Sequence, residues 1–128
     1  MKTNHLLIAL VLFAALLLVG CGAKNTPAPV VPVGAQAGEL VDLQPCTYKA
    51  GDIEYSADCG TLVVPENRSD PNSRLIALPV IRVRALNGSH AEPIMFLIGG
   101  PGISNLKFKH LAGLVDNYDF VQVGYRGV

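Results

Sequence analysis

The run Gly99-Gly100-Pro101-Gly102 is the part of this sequence best suited to chemistry. It follows directly on residues 93–98, Pro-Ile-Met-Phe-Leu-Ile, a continuous apolar stretch. Glycines let a backbone approach a ligand closely and take positive φ, while Pro101 stiffens the turn between them. A loop of that kind can aim main-chain N–H groups at one point. When an acyl carbonyl is attacked, its oxygen gains negative charge, and each well-placed donor stabilises that charge by about 3 kcal/mol. The plainer alternative is a tight turn after a strand, with no ligand. A phosphate loop is poorly supported, because no Gly-Lys-Ser/Thr follows.

The segments around this loop must hold it in place. Residues 93–98 read as a strand buried on both faces of a parallel sheet, since such strands lack polar alternation. Leu106, Phe108, Leu111, Leu114 and Val115 then recur at spacings compatible with one short amphipathic helix, with Lys107, Lys109 and His110 mostly to one side. Residues 118–123 predict a second buried strand, closed by Gly124-Tyr125-Arg126-Gly127. Strand, helix and strand within this length make a right-handed βαβ unit. Upstream, Cys59-Gly60-Thr61-Leu62-Val63-Val64-Pro65 predicts a short strand, and residues 66–73 a loop. Residues 75–86 are the longest strand candidate, with a change of phase near Pro79 that suggests an edge position or a bulge. Asn87-Gly88-Ser89 ends that run as a turn, and residues 40–58 read as polar and turn-rich. The expected fold class is α/β, with a few opening strands and one βαβ unit of an incomplete sheet.

The amino-terminal segment has a different purpose. Lys2 and the terminal amine precede an apolar run over residues 6–20, too short for a comfortable membrane span and suited to a signal peptide. Leu18-Val19-Gly20-Cys21 resembles the bacterial lipobox. That resemblance implies cleavage before Cys21, a diacylglycerol on its sulfur and a membrane anchor held by two or three acyl chains. With Cys21 occupied by lipid, Cys46 and Cys59 remain as an even pair in an oxidising compartment, and a disulfide between them is expected. Metal binding is the competitor, but two cysteines without a nearby His lack two ligands of a closed site. Residues 22–39, with Pro27, Pro29 and Pro32, read as a tether reaching on the order of 50 Å if polyproline-like. The expected organisation is therefore 1–20 signal peptide, 21–40 lipidated cysteine and tether, and 41–128 folded portion. Ten Lys and Arg balance ten Asp and Glu without any basic stripe, so nucleic acid is not an expected partner.

Taken in order, Cys59-Gly60-Thr61-Leu62-Val63-Val64-Pro65, Gly99-Gly100-Pro101-Gly102 and Tyr125-Arg126-Gly127 resemble the front of the proline iminopeptidase and tripeptidyl aminopeptidase branch of α/β hydrolases. The similarity runs over about residues 46–128. In that family the loop is commonly His-Gly-Gly-Pro-Gly, and its second glycine contributes an oxyanion N–H. The resemblance puts that role on Gly100, with Gly99, Pro101 and Gly102 shaping the loop. Ile98 stands where the family often has His, and Gly124-Tyr125 replaces the first two residues of its Asp-Gln-Arg-Gly turn. The family's Gly-x-Ser-x-Gly elbow, late Asp and late His have no counterpart in these 128 residues.

The resemblance implies the front of an exported, lipid-anchored serine hydrolase acting on peptide, amide or ester bonds, with no cofactor or metal. The chain alone is expected to be inactive. A non-catalytic lipoprotein binding a ligand or partner is the alternative. His90 and His110 read as surface or loop residues, and Ser69, Ser73, Ser89 and Ser104 as turn or cap residues. Asp116 and Asp119 read as solvated. Arg126 is a candidate anchor for a loop near the site.

Overall fold

The computed structural model describes residues 29–88, 91–100 and 102–126. Five strands form one sheet: β1 (Leu40–Ala50), β2 (Ile53–Pro65), β3 (Leu75–Val83), β4 (Ile94–Phe96) and β5 (Phe120–Val123). Their spatial order is β1-β2-β3-β5-β4. The first three pair as an antiparallel meander, β5 joins β3 antiparallel, and β4 lies parallel to β5 at the edge.

The longest ladder comes from the stretch expected to be turn-rich. Residues 40–58 instead form β1 and the first half of β2, joined at Gly51-Asp52 with Ala50 opposite Ile53. A two-residue turn needs positive φ, and Gly51 supplies it at 64°. Polar residues on the outer face hide the inner alternation of Cys46, Tyr48 and Ala50, which meets Ala57, Tyr55 and Ile53 across the ladder. A bulge between Val41 and Gln44 interrupts the pairing, with Asp42 at φ 54°. The disulfide between Cys46 and Cys59 is present and links β1 diagonally to β2. Gly38 and Glu39 extend the pairing backward, exchanging backbone hydrogen bonds with Val63.

Pro79 marks the end of a ladder. The β2–β3 register runs through it without a shift, but β5 pairs only with residues 80–83. One residue beyond that ladder, the Pro79 carbonyl accepts the Gly124 N–H at 2.7 Å. The loop at residues 66–73 is built as its sequence suggests, from side chains closing on nearby main chain. Asn67 Oδ1 accepts Ser69 N–H, Asp70 Oδ1 accepts Asn72 N–H, and Ser73 Oγ accepts Asn67 N–H.

The expected α/β class and its βαβ unit are corrected by the structure. No helix lies among the described residues, and the fold is a small all-β mixed sheet. Strands β4 and β5 are parallel as expected, yet the crossover between them is turned and extended. Its backbone is engaged elsewhere: Tyr48 Oη donates to the Phe108 carbonyl at 2.8 Å, with the Leu106 carbonyl as a second acceptor 3.3 Å away. Those acceptors are the ones a helix would use for its own i+4 amides. Half-buried Leu106 and Phe108 alternate with exposed Lys107 and Lys109, a strand-like period rather than a helical one. One turn forms at Leu111, whose carbonyl accepts from Leu114 and Val115, and Gly113 at φ 81° stops it from continuing.

This crossover covers one face of the sheet. Leu111 and Val115 are buried against Tyr48, Ala50, Tyr55, Ala57, Val83 and Phe120. The rings of Phe96, Phe108 and Phe120 pack together, with centroids 4.4 to 5.7 Å apart: Phe120 stacks on both others, which are tilted to each other. Burying a side chain the size of Phe120 contributes about 3 kcal/mol, so this cluster fixes the crossover to β4 and β5. Strand β4 is not buried on both faces, contrary to expectation. It is three residues long at the sheet edge, with Met95 54% and Leu97 74% exposed. An unbroken apolar run implies neighbours on every side only if the strand is internal, and run length does not report that.

Candidate functional site

The glycine loop leaves the carboxyl end of β4, beside the carboxyl end of its parallel neighbour β5. Gly99, Gly100 and Gly102 are exposed, and Gly100 and Gly102 have φ of 109° and 73°. At Gly100 that conformation is strained for any L side chain, and an added Cβ would lie 3.0 Å from Ile103 Cδ1. Gly99 has open space around it. Pro101 lies outside the described residues, as do Cys21, Ser89 and His90.

The loop is anchored at Ile98, and its amides become available immediately after. Ile98 N–H donates to Tyr125 Oη at 2.8 Å and toward Asn105 Oδ1 at 3.2 Å, while Tyr125 O–H donates back to the Ile98 carbonyl at 2.6 Å. Asn105 is fully buried, and its Nδ2 donates to Phe96 O at 2.8 Å and Val123 O at 3.0 Å. These are the carbonyls where β4 and β5 run out of ladder partners. Among the described residues, no hydrogen bond takes the N–H of Gly99 or Gly100. The sequence therefore pointed to the loop but not to its supports. A lone Asn within Ile103-Ser104-Asn105-Leu106 carries the same local signal as any turn residue. Tyr125 carries none.

Gly124 brings Tyr125 into position. A Cβ at residue 124 would sit 2.7 and 2.8 Å from Pro79 Cγ and Cδ, so only glycine lets β5 pass this close to β3. Arg126 follows and donates from Nη1 to the Glu66 carbonyl at 2.6 Å, tying the end of β5 to the β2–β3 loop. Ser104 does not cap a helix; its Oγ accepts the Leu106 N–H at 3.3 Å. His110 is exposed, its ring set edge-on to Phe108. Asp119 is less solvated than expected, since its Oδ1 accepts the Ala85 N–H at 2.8 Å.

Two concavities lie elsewhere. One, about 380 Å³, borders the disulfide and the bulge near Asp42; the other, about 480 Å³, lies between the Gly51-Asp52 turn and residues 106–109. Neither includes a loop glycine. The strongest charge cluster is also separate. Asp58 is buried on the opposite face and accepts from Arg82 Nη2 at 2.6 Å and from Arg84. The Arg84 hydrogen bond outweighs the cost of burial, and with Arg82 it holds the Asp58 carboxyl down at about 2. Among the described residues no group of three or more His, Cys, Asp or Glu is placed to hold a metal ion. No helix among them is long and apolar enough to cross a membrane.

Comparison with protein-family models, with curated proteins and with solved structures yields no match for this chain. The site must be judged on its own geometry.

Proposed function

We propose that this chain supplies the oxyanion loop of an exported, lipid-anchored serine hydrolase acting on peptide, amide or ester bonds. The nucleophile, acid and base come from residues outside these 128. One observation carries the reading: Gly99 and Gly100 present amides without hydrogen-bond partners among the described residues, at the carboxyl end of a parallel strand pair. The backbone immediately before them is fully hydrogen-bonded. Exposed amides in any turn bond to water, but a loop for a developing oxyanion also holds them in a fixed direction, so that a substrate oxygen replaces that water without reorganisation.

Gly100 donates to the oxyanion, and Gly99 and Gly102 shape the approach. Attack on the acyl carbon moves charge onto the carbonyl oxygen. A rigid amide stabilises that charge without reorganising, which is the source of its advantage over water. The partner for the second donor lies with the nucleophile.

The test is fluorophosphonate labelling of two products: the 128-residue chain, and the product of the gene read past codon 128. The shorter is expected to remain unlabelled and the longer to carry label on one serine. Replacing the Gly100 N–H by an ester oxygen, through semisynthesis with glycolic acid, should lower kcat about 100-fold with little change in KM. Labelling of the 128-residue chain alone, or an ester variant with unchanged kcat, would end this reading.

A further inference from the structure

We infer that Asn105 is the positioning residue of the glycine loop, with Tyr125 as its second support. The inference rests on the proposed oxyanion role for its purpose, though its geometry stands independently. The parallel ladder between β4 and β5 ends at Phe96 and Gln122. At that end, the Phe96 and Val123 carbonyls leave a gap that a side chain fills. The Asn105 carboxamide enters that gap and behaves as a surrogate peptide unit. Its NH₂ bridges Phe96 O and Val123 O, and its oxygen receives Ile98 N–H. One side chain, with no exposed surface, thus fixes the separation of the strands and the plane of the peptide preceding the loop.

Tyr125 holds the same residue from the other side. Its hydroxyl accepts from Ile98 N–H and donates to Ile98 O, so both main-chain polar atoms of Ile98 are occupied. With Ile98 immobilised, the Gly99 and Gly100 amides cannot rotate inward to seek those partners. Asp or Ala at residue 105 cannot do the same: the first lacks the two donors, and the second lacks every polar atom.

The test uses the full chain labelled with ¹⁵N and three variants, Asn105→Asp, Tyr125→Phe and Gln122→Met. The last changes another fully buried amide of the same sheet, one with no hydrogen bond to the loop. In Asn105→Asp and Tyr125→Phe the Gly99 and Gly100 amide signals should move, and hydrogen exchange at Ile98 should accelerate roughly 10-fold, as for one lost hydrogen bond. Gln122→Met should leave those signals in place even where it lowers Tm equally. Loop signals unmoved in both supporting variants, or moved as far by Gln122→Met, would overturn the inference. Should Asn105→Asp not fold, Tyr125→Phe against Gln122→Met decides alone. A loop that shifts in these variants, with the longer gene product never labelled by fluorophosphonate, would retain the positioning role and remove the hydrolase reading; a labelled longer product with an unmoved loop would do the reverse.

Discussion

Substituting Gly124→Ala should destabilise the fold and loosen the candidate site together. Ordinary carbon contacts lie at about 3.5–4.0 Å, whereas the new Cβ would lie 2.7 and 2.8 Å from the Pro79 ring. The ring is rigid and held in β3 between β2 and the end of β5, so β5 must move away. Overpacking of this kind costs about 1–3 kcal/mol. The movement also lengthens the 2.7 Å bond from Gly124 N–H to Pro79 O, adding about 1 kcal/mol. The expected loss is therefore about 2–4 kcal/mol, a large share of a small domain's stability. Urea titration followed by far-UV circular dichroism measures it, since the chain has no Trp for fluorescence. Gly99→Ala is the control: nothing lies within 4 Å of its added methyl, and a change within about 0.5 kcal/mol is expected. The double variant Pro79→Ala/Gly124→Ala should recover much of the loss, because the clash disappears with the ring. A Gly124→Ala protein as stable as its parent would refute the close-approach argument and the placement of Tyr125 built on it.

Three further outcomes follow from the charges and covalent links. The Asp58 carboxyl is held at about 2 in the folded protein against 3.8 in the unfolded chain, so its stabilisation is complete above about pH 4 and lost as pH falls toward 2. Asp58→Asn should cost about 2 kcal/mol in urea titrations at pH 7 and flatten the acid limb of the stability profile; an unchanged limb would contradict the assignment. Reducing the Cys46–Cys59 disulfide, which joins residues 13 apart, should lower stability by about 3 kcal/mol, read as a shift in urea midpoint with and without dithiothreitol. Metabolic labelling with an alkyne fatty acid should tag the chain, and Cys21→Ser should abolish the tag; label retained in that variant would remove the lipid-anchor proposal.

Much of this protein is written locally. The turn at Asn87-Gly88, the side-chain-closed loop after Pro65 and the strand through Pro79 are each signalled by short-range chemistry, although Asn87 and the strand are completed by distant partners. The cysteine pair also came from counting, and the disulfide is there. The hairpin of β1 and β2 was legible too, in Gly51-Asp52 between two inward alternations, but the polar outer face concealed it. Which segment becomes a helix was not local. The apolar spacing over residues 106–115 suits a helix, yet the segment lies turned and extended across the sheet, with its Phe108 carbonyl bonded to Tyr48 Oη, about sixty residues earlier.

The glycine loop shows the same division. Its glycines are visible in sequence because positive φ and close backbone approach are properties of single residues. Its direction is not, because that depends on Asn105 and Tyr125 converging on Ile98, and on Gly124 passing Pro79 with no room for a methyl group. Residue type determined what this backbone is able to do; long-range packing decided how the loop's amides are directed.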